Sequence, residues 1–165
     1  MQIRSELPDL TTTAARRCLD GLPRTGYEVV VKPLRYRTAP HLAALCDFDG
    51  RTIVLQVPTP FRLFKEVVHH GARRKRGHAM SFSWLGENVT FRSRRDVLRF
   101  LYCHEWMHWY LHEELKRGSS AETACDRFAL RNFRRHRVTT EDADAALVRR
   151  ARRRPAVSLA GRSAA

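Results

Sequence analysis

Residues 104–108 read His104-Glu105-Trp106-Met107-His108, an H-E-x-x-H string inside an apolar stretch that runs from Val97 to Leu115. No other segment narrows the possible folds so far. On a helix, residues four apart lie one above the other on the same face, so both imidazoles face one small volume. Glu105 sits about 100° around the axis, beside that volume but off the line of the two histidines. Two imidazoles and a carboxylate among so many large apolar side chains need partners, and a metal ion satisfies all three together. His104 and His108 are therefore candidate zinc ligands, and Glu105 is the candidate general base that takes a proton from metal-activated water. Zinc stands ahead of manganese, cobalt or nickel on ligand type.

The helix that carries the string is expected to start at Ser93, whose spacing to Asp96 matches a capping box, and to end by Gly118. Catalytic zinc takes three protein ligands and keeps a fourth position for water, so one more donor is required. A histidine six residues after His108 would need Gly at 111 and His at 114, where the chain has Leu111 and Glu114. His112 lies about 12 Å along the axis from His104, too far for one ion to bind His104, His108 and His112 together, and reads as a rim or packing residue. Past Gly118, Ser119-Ser120-Ala121-Glu122 restarts a helix, with Ser119 or Ser120 as its N-cap. Glu122 and Asp126 then share one face of that second helix. Folded back on the first, Glu122 becomes the third ligand, and Asp126 accepts a hydrogen bond from the distal N–H of a ligating histidine. His136 is the rival ligand, but about 21 Å of straight helix separates it from Glu122, and its neighbours Arg134, Arg135 and Arg137 read as a solvated basic helix end.

The strings His104-Glu105-Trp106-Met107-His108 and Ala121-Glu122-Thr123-Ala124-Cys125-Asp126-Arg127-Phe128-Ala129-Leu130 resemble the gluzincin metallopeptidases, especially the small ImmA/IrrE-like and minigluzincin groups. The resemblance covers about residues 93–135. It implies His104, His108 and Glu122 as zinc ligands, Glu105 as general base and Asp126 as a partner of His104. It also implies a zincin-like α+β domain in which a small twisted, mostly antiparallel sheet precedes the active-site helix, with substrate along an edge strand. The gap between His108 and Glu122 is short for the family, and no counterpart is visible of the downstream His or Tyr with which larger gluzincins stabilise an oxyanion.

The 165 residues suit one domain, expected over 1–154, with 155–165 a flexible tail. The polar start, Met1 to Leu10, lacks the apolar run of a signal peptide, and no segment approaches a membrane span, so a cytoplasmic location is expected. Cys18, Cys46, Cys103 and Cys125 form no C-x-x-C pair and read as free thiols. Thr11 to Leu22 suits a short helix and Tyr27 to Leu34 a strand; His41 to Phe48 and Arg51 to Val57 flank an Asp49-Gly50 turn as a hairpin. Phe61 to His70 reads as helix or irregular chain, and two strands are expected around Met80 to Trp84 and Glu87 to Phe91, joined near Gly86. A last helix is expected from near Thr140.

A net charge of +14 attracts polyanions, and two arginine-rich runs concentrate it: Arg73, Arg74, Lys75 and Arg76, and the C-terminal cluster Arg149, Arg150, Arg152, Arg153 and Arg154. The aromatic residues gather near the H-E-x-x-H helix rather than among these runs, so no base-stacking platform is expected. The expected function is that of a zinc-dependent metallopeptidase acting on a protein or peptide substrate. The alternative is a basic module that binds nucleic acid or an acidic partner and retains the zincin site, including a SprT-like protease of DNA-bound proteins, for which His136 would replace Glu122.

Overall fold

Thr11 opens the first helix: its hydroxyl accepts from the Ala14 amide at 3.2 Å, and α1 spans Thr12–Leu19 with Ala15 and Leu19 buried one turn apart. The computed structural model describes residues 1–74, 81–117 and 121–147. Around α1 lie β1 (Ile3–Ser5) and β2 (Glu28–Leu34), followed by β3 (Ala43–Asp47) and β4 (Thr52–Pro58). These four strands form one sheet in the order β1-β2-β4-β3. A three-residue strand at the N-terminus is too short to register as an alternating pattern, and β1 was not expected.

The sheet is mixed rather than mostly antiparallel. β1 and β4 both run parallel to β2, and only β3 pairs antiparallel with β4. The Asp49-Gly50 turn does make the expected hairpin, with the Gly50 amide donating to Asp47 at 2.9 Å. What the turn does not decide is which arm faces β2. Val29, Val30 and Val31 are buried on both faces, the mark of a central strand that needs partners on each side. The chain leaving β2 crosses to the far edge as β3 and returns as β4, which therefore runs parallel to β2. β3 is left as an edge strand.

A second sheet is a two-stranded antiparallel ribbon of β5 (Phe64–Arg74) and β6 (Phe82–Phe91). Two expectations are corrected here. Phe61 to His70 is neither helix nor irregular but mostly strand, and Gly86 does not end a strand. β6 runs straight through Gly86, where a Cβ would approach Val67 Cγ1 to 2.7 Å, and a register shift between His69 and Gly71 absorbs the local misfit. Phe82 and Trp84 stand exposed on the ribbon, paired across it with Arg74 and Ala72. Aromatic residues thus do lie beside the basic run, contrary to expectation. Lys75, Arg76, the C-terminal arginine cluster and the 155–165 tail lie outside the described residues.

The H-E-x-x-H helix, α2 (Arg94–Trp109), starts at Ser93, whose hydroxyl accepts from the Asp96 amide at 3.1 Å. It continues as a π-helical turn over Tyr110–Glu114. From Val97 to Cys103 every residue is buried, so α2 is the central helix of the domain. That run includes Arg99. Its guanidinium donates to the carbonyls of Cys18, Asp20, Phe133 and Arg135, joining α2 to the end of α1 and to the end of α3 (Glu122–Asn132). The N-cap of α3 is Ala121, without a side-chain cap, rather than Ser119 or Ser120, which are outside the described residues. The last described helix, α4 (Thr140–Leu147), starts where expected. The result is a small α+β domain. Among the described residues no helix is long and apolar enough to cross a membrane.

Candidate metal centre

Trp106 fixes the rotation of α2. Its ring packs 5.1 Å from Tyr110 and 5.4 Å from Phe128 of α3, and its indole N–H donates to the Arg24 carbonyl at 2.9 Å. Anchored there, α2 presents His104 and His108 to the start of α3. The Nε2 atoms of the two histidines lie 3.1 Å apart. Glu122, in the first turn of α3, brings Oε2 to 3.3 Å from His104 Nε2 and Oε1 to 3.3 Å from His108 Nε2. The two imidazoles and the carboxylate form a compact triangle of residues, each carboxylate oxygen facing one imidazole, with donor atoms within 4.8 Å of one another. Ligands about 2.0 to 2.1 Å from a tetrahedral zinc ion lie about 3.3 to 3.4 Å apart, so this spacing fits one face of such a coordination shell. Two neutral-capable imidazoles and a carboxylate also fit zinc in donor type.

Asp126, one turn beyond Glu122, accepts from His104 Nδ1 at 2.9 Å. That bond leaves Nε2 as the atom turned into the triangle. Burial alone would depress His104, but Asp126 and Glu122 hold it up at about 10. Glu122, mostly exposed, is held below the ordinary carboxylate range by its hydrogen bond with His104.

Glu105 is buried beside the triangle. Burial raises it to about 7, opposed by the charge on His104 and by a hydrogen bond from the Cys46 amide of β3. A carboxyl tuned near neutrality suits proton transfer in both directions. The edge strand was an expectation of the family resemblance; the bond from its Cys46 amide to Glu105 was not foreseen, because nothing in a sequence reports which backbone N–H lies free on a sheet edge.

Two cavities open on the triangle. One, of about 450 Å³, is bounded by Ala44, Leu45, Cys46 and Phe48 along β3 and by His104, Glu105, His108 and Glu122. Among the described residues lining it there is no tyrosine, arginine or further histidine. The other, of about 320 Å³, continues past Glu105 and Asp126 toward β5. His112 lies outside the triangle, half-exposed and stacked on Phe48 at 4.2 Å, as a rim residue. His136 is also elsewhere: its backbone lies against Gly21 at the end of α1, and the metal-competent group contains Glu122 instead. The four cysteines are free, with Cys46, Cys103 and Cys125 buried and Cys18 partly exposed. No family model, curated protein or solved structure matches the chain.

Proposed function

We propose that the protein is a zinc-dependent metallopeptidase of the gluzincin type that hydrolyses a peptide bond of a protein substrate in the cytoplasm. The observation that carries this reading is the triangle of His104, His108 and Glu122 with Glu105 beside it and an open cleft before it. These three residues would hold the ion at the wall of that cleft. A bound zinc ion would supply Lewis acidity, polarising the scissile carbonyl and lowering the pKa of water. Glu105 takes the proton of the attacking water and returns it to the leaving amine, and the Cys46 amide holds its carboxylate in place. Asp126 keeps Nε2 of His104 free to ligate.

The test is zinc content per chain, by elemental analysis of the wild type, Glu122→Ala and His136→Ala, combined with peptide cleavage by the wild type and Glu105→Gln. About one zinc in the wild type, lost only with Glu122→Ala, and cleavage lost in a Glu105→Gln variant that keeps its zinc, support the reading. A zinc-free wild type, or a Glu105→Gln variant that still cleaves, refutes it.

A second reading rests on the ribbon, where exposed Phe82 and Trp84 stand beside the basic strand containing Arg73 and Arg74. On that reading the chain is a nucleic-acid or acidic-partner module with a retained zincin site; the SprT-like variant loses its third ligand, because His136 lies against Gly21 rather than at the site. This second reading requires single-stranded DNA binding that weakens steeply with salt and is lost on neutralising Arg73, Arg74 and Arg76.

A further inference from the structure

The buried face of β5 reads Phe64, Glu66, Val68: two buried apolar residues with a carboxylate between them. A charge on the core side of a strand is costly unless something answers it. One oxygen of Glu66 accepts from the Leu42 amide at 2.8 Å. Among the described residues the charges that act on it are those of His41 and Asp126, with no lysine or arginine. In a chain of net charge +14, a half-buried carboxylate with no basic partner among the described residues stands out.

Glu66 lines the 320 Å³ cavity that adjoins the triangle of donors. Val68, Phe100 and Leu101 supply an apolar wall there, and His104 and Glu105 close the end nearest the metal centre. A cavity with an apolar wall on one side and the carboxylates of Glu66 and Asp126 in its lining matches a side chain with an aliphatic stem and a cationic tip. The edge strand sets the direction. Leu42 gives its amide to Glu66 and Cys46 gives its amide to Glu105, so the backbone groups of Ala44 between them point outward on the unpaired side of β3. A peptide adding to that edge in the more stable antiparallel sense runs from the Phe48 end toward the Leu42 end. Residues after its scissile bond then enter the Glu66 cavity.

Resting on the peptidase reading, we infer that Glu66 is a specificity-determining residue, and that the cavity between β3 and β5 takes a lysine or arginine side chain from the segment that follows the scissile bond. The step needs no new chemistry; Glu66 pairs with the cation and touches no reacting atom.

The experiment uses matched peptides that carry lysine or its uncharged analogue norleucine at successive positions on either side of the scissile bond. Binding is measured by fluorescence anisotropy on zinc-loaded Glu105→Gln, with and without Glu66→Gln, and cleavage on chains with Glu105 intact. Gln keeps the acceptor for the Leu42 amide and removes only the charge. The expected result is about tenfold tighter binding and faster cleavage for lysine on the C-terminal side, falling to near parity in Glu66→Gln. Equal treatment of lysine and norleucine, a preference that survives Glu66→Gln, or a preference confined to the N-terminal side overturns the inference. Lysine-selective, Glu66-dependent binding without cleavage would leave the cavity assignment standing and sink the peptidase reading. Cleavage without selectivity would do the reverse.

Discussion

Two carboxylates one turn apart on α3 have different jobs around one imidazole, and substitution separates them. Glu122 faces Nε2 of both histidines, whereas Asp126 holds Nδ1 of His104. Glu122→Ala is expected to lose the metal outright. Asp126→Ala should keep all three ligands yet bind zinc about 10- to 100-fold more weakly, because the ring is no longer fixed in orientation or tautomer; chelator competition measures this, and unchanged affinity would remove Asp126 from the centre. Glu105→Gln should retain wild-type zinc affinity while turnover falls about 10²- to 10⁴-fold, the usual range for a lost general base.

At the scale of elements, the junctions between helices are where small changes should tell. Gly21 follows α1 with φ +79°, and a Cβ there would meet the His136 carbonyl oxygen at 1.9 Å. Gly21→Ala combines a left-handed backbone with a clash against main chain that cannot rotate away, so a loss of about 2 kcal/mol or more in denaturant unfolding is expected. The start of α4 has an acid-sensitive latch. Asp142 accepts from the Thr139 amide at 2.9 Å and from Arg135 at 2.6 Å. Burial pushes its pKa up, but these bonds outweigh burial and the net shift is downward from the ordinary 3.8. A folded-state pKa below the unfolded one means stability that is present above about pH 4 and lost as pH falls through the folded value. Asp142→Asn should therefore lower stability at neutral pH and flatten the acid limb of the pH profile; parallel limbs would show that the latch contributes nothing.

For the whole molecule, Arg99 is the residue through which the helices are tied together. It is 2% exposed and donates to carbonyls from the ends of both α1 and α3. An apolar replacement leaves buried carbonyls without donors, so Arg99→Met is expected to cost about 3 kcal/mol or more, and to lower zinc affinity as well because α3 carries Glu122. Thermal unfolding with and without zinc reads both effects. A variant as stable as the wild type would show that water replaces the guanidinium.

The clustering of the candidate donors was legible because helix geometry is local: a spacing of four places His104 over His108, and Glu122 over Asp126, whatever surrounds them. The β3–β4 hairpin, α1 and the start of α4 were legible for the same reason, through turn and cap residues acting over a few positions. What the sequence did not determine depends on partners distant along the chain. The insertion of β4 between β2 and β3 follows from how Val29 to Val31 are buried on both faces. The passage of β6 through Gly86 depends on β5 beside it, where His69 is its cross-strand partner and Val67 leaves no room for a Cβ, and a buried arginine at 99 has meaning only once four carbonyls from two other helix ends converge on it. Glu66 lies between: its alternation with Phe64 and Val68 is present in the sequence, but only tertiary structure puts it on the buried face of a strand, in the wall of the cavity beside the candidate metal centre. Local spacing thus determined the donor atoms and their faces, while the packing of distant segments decided the sheet order and the shape of the cleft.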